Sequence, residues 1–208
     1  MSTPAPAPAG AAAATLLPPT PPPPTHLLLM GVCGAGKSSV GQALAAAHGL
    51  PFLDADAFHP PANVAKMARG EPLTDEDRAP WLAAIGARMA AEWARGARCV
   101  FTCSALRRVY RDALRAALPG LALVLLQADA VTLAARLAAR SGHFMPPALL
   151  ASQLAALEPQ AQGEPAFAAV DCSACGSVEA AAQAVRDASS AFFAAVAADG
   201  SRAPAAQG

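Results

Sequence analysis

Eight consecutive residues, Gly31-Val32-Cys33-Gly34-Ala35-Gly36-Lys37-Ser38, leave this chain few folds to choose from. They fit the pattern GxxxxGK[ST] and lie between an apolar run, 26–32, and a stretch that can be helical, which is the context the pattern requires. Glycines at 31, 34 and 36 let the backbone curl so that successive N–H groups point inward, and the helix N-terminus behind them adds partial positive charge. The spacing therefore predicts a cradle for triphosphate oxygens running from Gly31 to Ser39. Lys37 would reach the β- and γ-phosphates as a catalytic cation, and Ser38 would ligate magnesium. ATP and magnesium are the expected cofactors.

A cradle of this kind needs a parallel sheet behind it, and the rest of the sequence predicts one. Short apolar runs at 26–32, 51–54, 98–103, 121–126 and 167–171 alternate with Ala- and Leu-rich amphipathic stretches. Helices are expected to start near Gly36, Pro61, Asp75, Ser104, Ala130, Pro147 and Ser177. The fold class is α/β, a three-layer arrangement. With 208 residues, 54% of them hydrophobic, the chain suits one domain with tails. Residues 1–25 are rich in Ala and Pro and read as a disordered leader, 26–198 as the folded domain, and 199–208 as a flexible tail. The leader holds no Arg or Lys, which argues against a secretory or transit signal and leaves the cytoplasm as the expected compartment.

Formal net charge is zero, so no overall positive field exists to hold nucleic acid. The apolar runs are strand-length, far short of the roughly 20 residues that cross a bilayer. Neither nucleic acid nor membrane is an expected partner. The five cysteines include one CxxC, Cys172 and Cys175, with no second pair and no neighbouring histidine, and are read as reduced thiols.

Of the 15 basic residues, only Lys37 and Lys66 are lysines. A compact ammonium differs from a planar guanidinium in size and donor geometry, so Lys66 is marked as a site residue by its rarity. Asn63 and Tyr110, each the sole residue of its type, are flagged by the same reasoning. Asp54 and Asp56 follow the second strand, at the carboxyl end where open α/β sheets bind ligands. Phosphoryl transfer to an alcohol offers two acidic tasks; Asp54 is assigned to the magnesium shell and Asp56 to the acceptor hydroxyl. His59, Asn63 and Lys66 fall at helical spacing and could line a polyol pocket or form a solvated face. Ser104 could cap a helix whose Arg107 and Arg111, one turn apart, would meet an anionic substrate. Arg136 and Arg140 are again four apart, ahead of Ser141-Gly142 and Pro146-Pro147, and read as a mobile flap, about 136–158, that brings two catalytic cations over the nucleotide.

The segments 30–40 (MGVCGAGKSSV), 52–82 (FLDADAFHPPANVAKMARGEPLTDEDRAPWL), 103–115 (CSALRRVYRDALR) and 136–158 (RLAARSGHFMPPALLASQLAALE) together resemble gluconokinase of the P-loop type. The second and fourth are long and more specific than a nucleotide-binding loop. The resemblance implies a fold like that of nucleoside monophosphate kinases and shikimate kinase, with a five-stranded parallel sheet and a flap over ATP. It implies a homodimer that phosphorylates D-gluconate at the 6-hydroxyl. It adds Arg69 to the acceptor wall beside His59 and Lys66, adds His143 to the flap, and places Gln153 and Glu158 on the flap's return helix. Other acceptors for the same cradle are shikimate or a nucleoside monophosphate. A purely signalling nucleotide switch is the other class, and a guanine-reading motif is excluded because Asn63 is the sole asparagine.

Overall fold

The computed structural model describes residues 23–139, 149–165 and 167–200. Five strands form one parallel sheet: β1 Leu27–Met30, β2 Phe52–Asp54, β3 Val100–Thr102, β4 Ala122–Gln127 and β5 Ala168–Asp171, in the spatial order β2-β3-β1-β4-β5. Leu27 of β1 is in register with Val100 on one side and Ala122 on the other. The helices are α1 Lys37–His48, α2 Pro61–Ala68, α3 Asp75–Ala94, α4 Arg108–Ala117, α5 Ala130–Ala138, α6 Leu149–Ala156, α7 Val178–Ala188 and α8 Ser190–Gly200, with a 3₁₀ turn at Ala55–Phe58.

Helices cover both faces of the sheet, which is why the central strands read as unbroken apolar runs rather than alternating ones. Successive side chains of β1 still point to opposite faces. Leu27 and Leu29 pack with Val40, Leu44, Val185 and Phe192 in one core cluster. Leu28 and Met30 pack with Trp81, Ile85, Met89 and Leu114 in the other. Just ahead of β1, His26 is wholly buried, and its ring nitrogens bridge the Met89 carbonyl (2.9 Å) and the Cys99 N–H (3.1 Å). Burial pushes its pKa down, so the neutral ring stitches α3 to the sheet.

The five expected strands are all present, and most helices begin where expected. Two starts are different: α8 begins at Ser190, where none was expected, and α4 begins later than expected. Ser104 does not cap α4: the helix begins at Arg108, and Ala105 lies between with φ of 42°, a left-handed turn that redirects the chain first. The cap is supplied from elsewhere, by the Glu158 carboxylate accepting the Arg108 N–H at 2.6 Å. Glu158 itself lies beyond the end of α6 rather than on it. Residues 1–22 of the expected leader, 201–208 of the expected tail and 140–148 of the expected flap fall outside the described residues. Thr25 is tied to Gly120 by a backbone hydrogen bond of 2.9 Å. No helix among the described residues is long and apolar enough to cross a membrane.

Candidate active site

The glycine loop runs from the carboxyl end of β1 into α1. Gly31 has φ of 138°, and a Cβ there would stand 2.3 Å from the Leu126 carbonyl oxygen, so the loop can turn under the sheet only with glycine at this position. Gly36, the residue before α1, is left-handed at φ 94°. No side chain caps this helix end, which leaves its N–H groups and dipole aimed into the loop. Within the loop, Lys37 Nζ donates to the Val32 carbonyl at 3.0 Å, and the Cys33 N–H donates to Gln153 Oε1 of α6 at 2.7 Å.

At the end of β2, Asp54 links the cradle to the acceptor side. Its Oδ2 accepts the Ser38 hydroxyl proton at 2.7 Å, while Oδ1 accepts the Asp56 N–H at 3.1 Å and caps the 3₁₀ turn. The 3₁₀ turn thereby carries Asp56 into a cleft shared with Lys37, Ser38, His59, Arg78, Trp81, Ser104, Ser152 and Gln153. His59 stacks on Trp81 with ring centroids 4.2 Å apart, and Trp81 Nε1 donates to the Ala55 carbonyl at 2.8 Å, fixing the pair. The Nδ1 atom of His59 is buried without a hydrogen-bond partner among the described residues, as a site awaiting a polar ligand would leave it.

Burial, and then the nearby Arg78 cation, push the His59 pKa down to about 4. His59 is therefore neutral at physiological pH. In the unfolded chain it takes up a proton near 6.5, so the unfolded state binds more protons between about pH 6.5 and 4. Stability is expected to be fully present above that window and to fall as pH drops through it. Urea midpoints measured from pH 7 to 4 should show a shallower decline in His59→Gln, with the part due to His26 remaining.

A second cleft opens on the other side of the loop, lined by Gly34, Ala35, Gly36, Ser39, Val40, Arg136, Cys172, Cys175, Ser177 and Val178. It joins the cradle to the turn after β5. Arg136, expected over the nucleotide, lines this cleft beside the glycine loop, and its Nη2 donates to the Cys172 carbonyl at 2.8 Å. Its expected partner in the flap, Arg140, and His143 lie outside the described residues.

Several expected acceptor residues are engaged elsewhere. Asn63 is buried and donates to the Asp77 carbonyl at 2.8 Å, and Lys66 is paired with the Asp77 carboxylate at 2.6 Å; both tie α2 to the N-terminus of α3. Arg69 is exposed and held by Glu71 at 2.8 Å. Arg107 is shared between Asp75 (2.5 Å) and Glu158 (3.2 Å). Arg111 is completely buried against Glu164, with no surface to offer a ligand. Helical spacing put these side chains on common faces but could not show which partner each face meets. Conversely, Arg78, Trp81 and Ser152 line the cleft without having been singled out, and Ser104, expected only as a helix cap, lines it too. The one signal for Arg78 was its place directly after Thr74-x-x-Asp77, a capping box that fixes the start of α3 and hence the direction of its first turn.

A parallel sheet in this order, a glycine cradle at the end of β1 and an acidic pair at the end of β2 define an ATP-dependent phosphotransferase of the P-loop type, and a family model described as an AAA domain matches residues 27–160. The chain belongs to the gluconokinase family: it is 48% identical over 139 residues to the gluconokinase of Gluconobacter oxydans (strain 621H), covering 67% of this chain and 78% of that one. It is 44% identical over 135 residues to the thermosensitive gluconokinase of Escherichia coli (strain K12), covering 64% and 72%. Among solved structures, an unliganded sugar kinase from Janibacter sp. HTCC2649 superposes with a TM-score of 0.74 at 40% identity, over 84% of this chain and 98% of that one. A gluconokinase from Sinorhizobium meliloti 1021 gives a TM-score of 0.67 at 47% identity, over 82% and 97%.

Proposed function

We propose that the chain transfers the γ-phosphoryl group of ATP to the 6-hydroxyl of D-gluconate, giving 6-phospho-D-gluconate and ADP in carbohydrate acid catabolism. The observation that carries this reading is a single cleft in which the phosphate-side Lys37 and Ser38 stand with the acceptor-side Asp56 and His59, in a chain of the gluconokinase family.

Asp56 is the group that receives the proton of O6 as the O6–phosphorus bond forms and the bond from phosphorus to the β-phosphate oxygen breaks. The Asp54 cap on the Asp56 N–H holds that carboxylate at the mouth of the cradle. Neutral His59 can share a hydrogen bond with a substrate hydroxyl without adding charge. Lys37 and the N–H groups of the glycine loop supply positive charge and donors to the transferring phosphoryl. The Ser38 hydroxyl and Asp54 carboxylate, 2.7 Å apart, are hard oxygen donors of the kind magnesium prefers. A magnesium ion held there would neutralise charge on the nucleotide's phosphates.

A cytoplasmic setting is supported by five free cysteines, and a homodimer by the likeness to the family. ADP release should be measured with magnesium ATP and, in turn, D-gluconate, shikimate, AMP and no acceptor. Turnover with D-gluconate alone is expected; turnover with shikimate or AMP in its place would overturn the substrate.

A further inference from the structure

D-gluconate is an anion, and the cations first expected on the acceptor side, Lys66, Arg69, Arg107 and Arg111, are paired with Asp77, Glu71, Asp75, Glu158 and Glu164. Among the described residues, the cleft that contains Asp56 is lined by two cations, Lys37 and Arg78. Lys37 belongs to the phosphates. Arg78 sits in the first turn of α3 and is half-buried.

The guanidinium of Arg78 is held along one edge. All its hydrogen bonds within the described residues are made by Nη1: to the Leu73 carbonyl, to the Thr74 carbonyl at 3.5 Å and to the Tyr110 hydroxyl at 3.4 Å. Its central carbon lies 5.5 Å from the centre of the Tyr110 ring, so the plane is also supported from the side. The nearby acid, Asp75, has its carboxylate taken by the Tyr110 hydroxyl and Arg107. The Nε–Nη2 edge therefore keeps two parallel donors for a carboxylate, in the fork geometry that lysine lacks.

We propose that Arg78 is the carboxylate anchor of the acceptor site, gripping the C1 carboxylate of a sugar acid through Nε and Nη2 and so selecting an aldonate over a neutral sugar. This rests on the reading of gluconate as acceptor. With the carboxylate at Arg78, the opposite end of the six-carbon chain is left to reach Asp56 and the cradle. Because Nη1 is already tethered, little side-chain freedom is lost on binding. Neutral His59, beside Arg78, offers no competing charge and can take a middle hydroxyl.

The test compares D-gluconate with D-gluconamide, the same chain with an uncharged head, in the unaltered protein, Arg78→Gln, Arg78→Lys and Arg140→Gln. The unaltered protein is expected to prefer gluconate. In Arg78→Gln the KM for gluconate should rise about 10²-fold and the preference in kcat/KM should collapse, with the KM for ATP unchanged. Arg78→Lys, which keeps the charge and is the second line should Arg78→Gln not fold, should restore only part of the preference. A preference for gluconate that survives in Arg78→Gln, or one lost in Arg140→Gln but kept in Arg78→Gln, would overturn the assignment alone. Absence of gluconate turnover in the unaltered protein would overturn the substrate reading, and this inference with it.

Discussion

Asp56→Asn is expected to lower turnover of D-gluconate by about 10² to 10⁴-fold while leaving the affinity for ATP nearly unchanged. The exchange keeps shape and hydrogen-bonding reach but removes the group that can receive a proton. The backbone N–H of residue 56 donates to Asp54 whichever side chain it carries, so this hold on the 3₁₀ turn is kept in the variant. Asp54→Asn should behave differently: it disturbs the Ser38 hydroxyl and the 3₁₀ cap together. Single-turnover rates and nucleotide titrations on both variants separate the two roles. Turnover of Asp56→Asn at the unaltered rate would remove Asp56 from the chemistry.

The second large effect concerns stability. Glu164→Ala is expected to destabilise the protein by about 3–5 kcal/mol, read from urea midpoints, because it leaves a guanidinium buried without its counter-charge. Arg111 and Glu164 have no exposed side-chain surface and meet through two parallel hydrogen bonds, 2.6 and 2.8 Å long. The other Arg111 donors go to the carbonyls of Leu106, Glu158 and Pro159, and Arg115 adds a further contact to Glu164 at 3.0 Å. Hydrogen bonding by Arg111, first among several causes, pulls the Glu164 pKa down to about 2. An unfolded glutamate titrates near 4.5, so this contribution is complete above that pH and is lost as pH falls towards 2. In Glu164→Ala that portion of the acid limb should disappear. The cluster also bears on activity, since it anchors to α4 the residues 158–164 that follow α6 in the chain, and α6 is the helix whose Gln153 accepts the Cys33 N–H of the phosphate loop.

Local grammar carried much of the fold into view. The five apolar runs became the five strands because both faces of the sheet are covered, and the glycine loop could be placed because its backbone geometry tolerates few other residues at 31 and 36. Asp54 and Asp56 were visible for a related reason: a strand end fixes where its next residues go. The arginines were not legible in the same way. Arg111 and Glu164 are 53 positions apart, and nothing in the helical spacing of Arg107 and Arg111 tells a ligand-facing guanidinium from one that bonds a distant glutamate. Lys66 shows a different limit. Its rarity marked a place where a small ammonium matters, but the partner is Asp77, inside the capping box of α3, rather than a ligand in the cleft. Ser104 illustrates a third: an N-cap residue type ahead of a helical run predicted the cap, and beyond the left-handed turn at Ala105 the cap position falls at Arg107 instead.

The central claim is phosphoryl transfer to the primary hydroxyl of D-gluconate, and phosphorus NMR of the reaction mixture addresses it most directly. With the protein, magnesium ATP and D-gluconate labelled with carbon-13 at C6, the account predicts that the γ-phosphate signal disappears while a phosphomonoester signal grows in, split by coupling to C6. A phosphomonoester without that coupling, or ATP consumed to free phosphate alone, would contradict it.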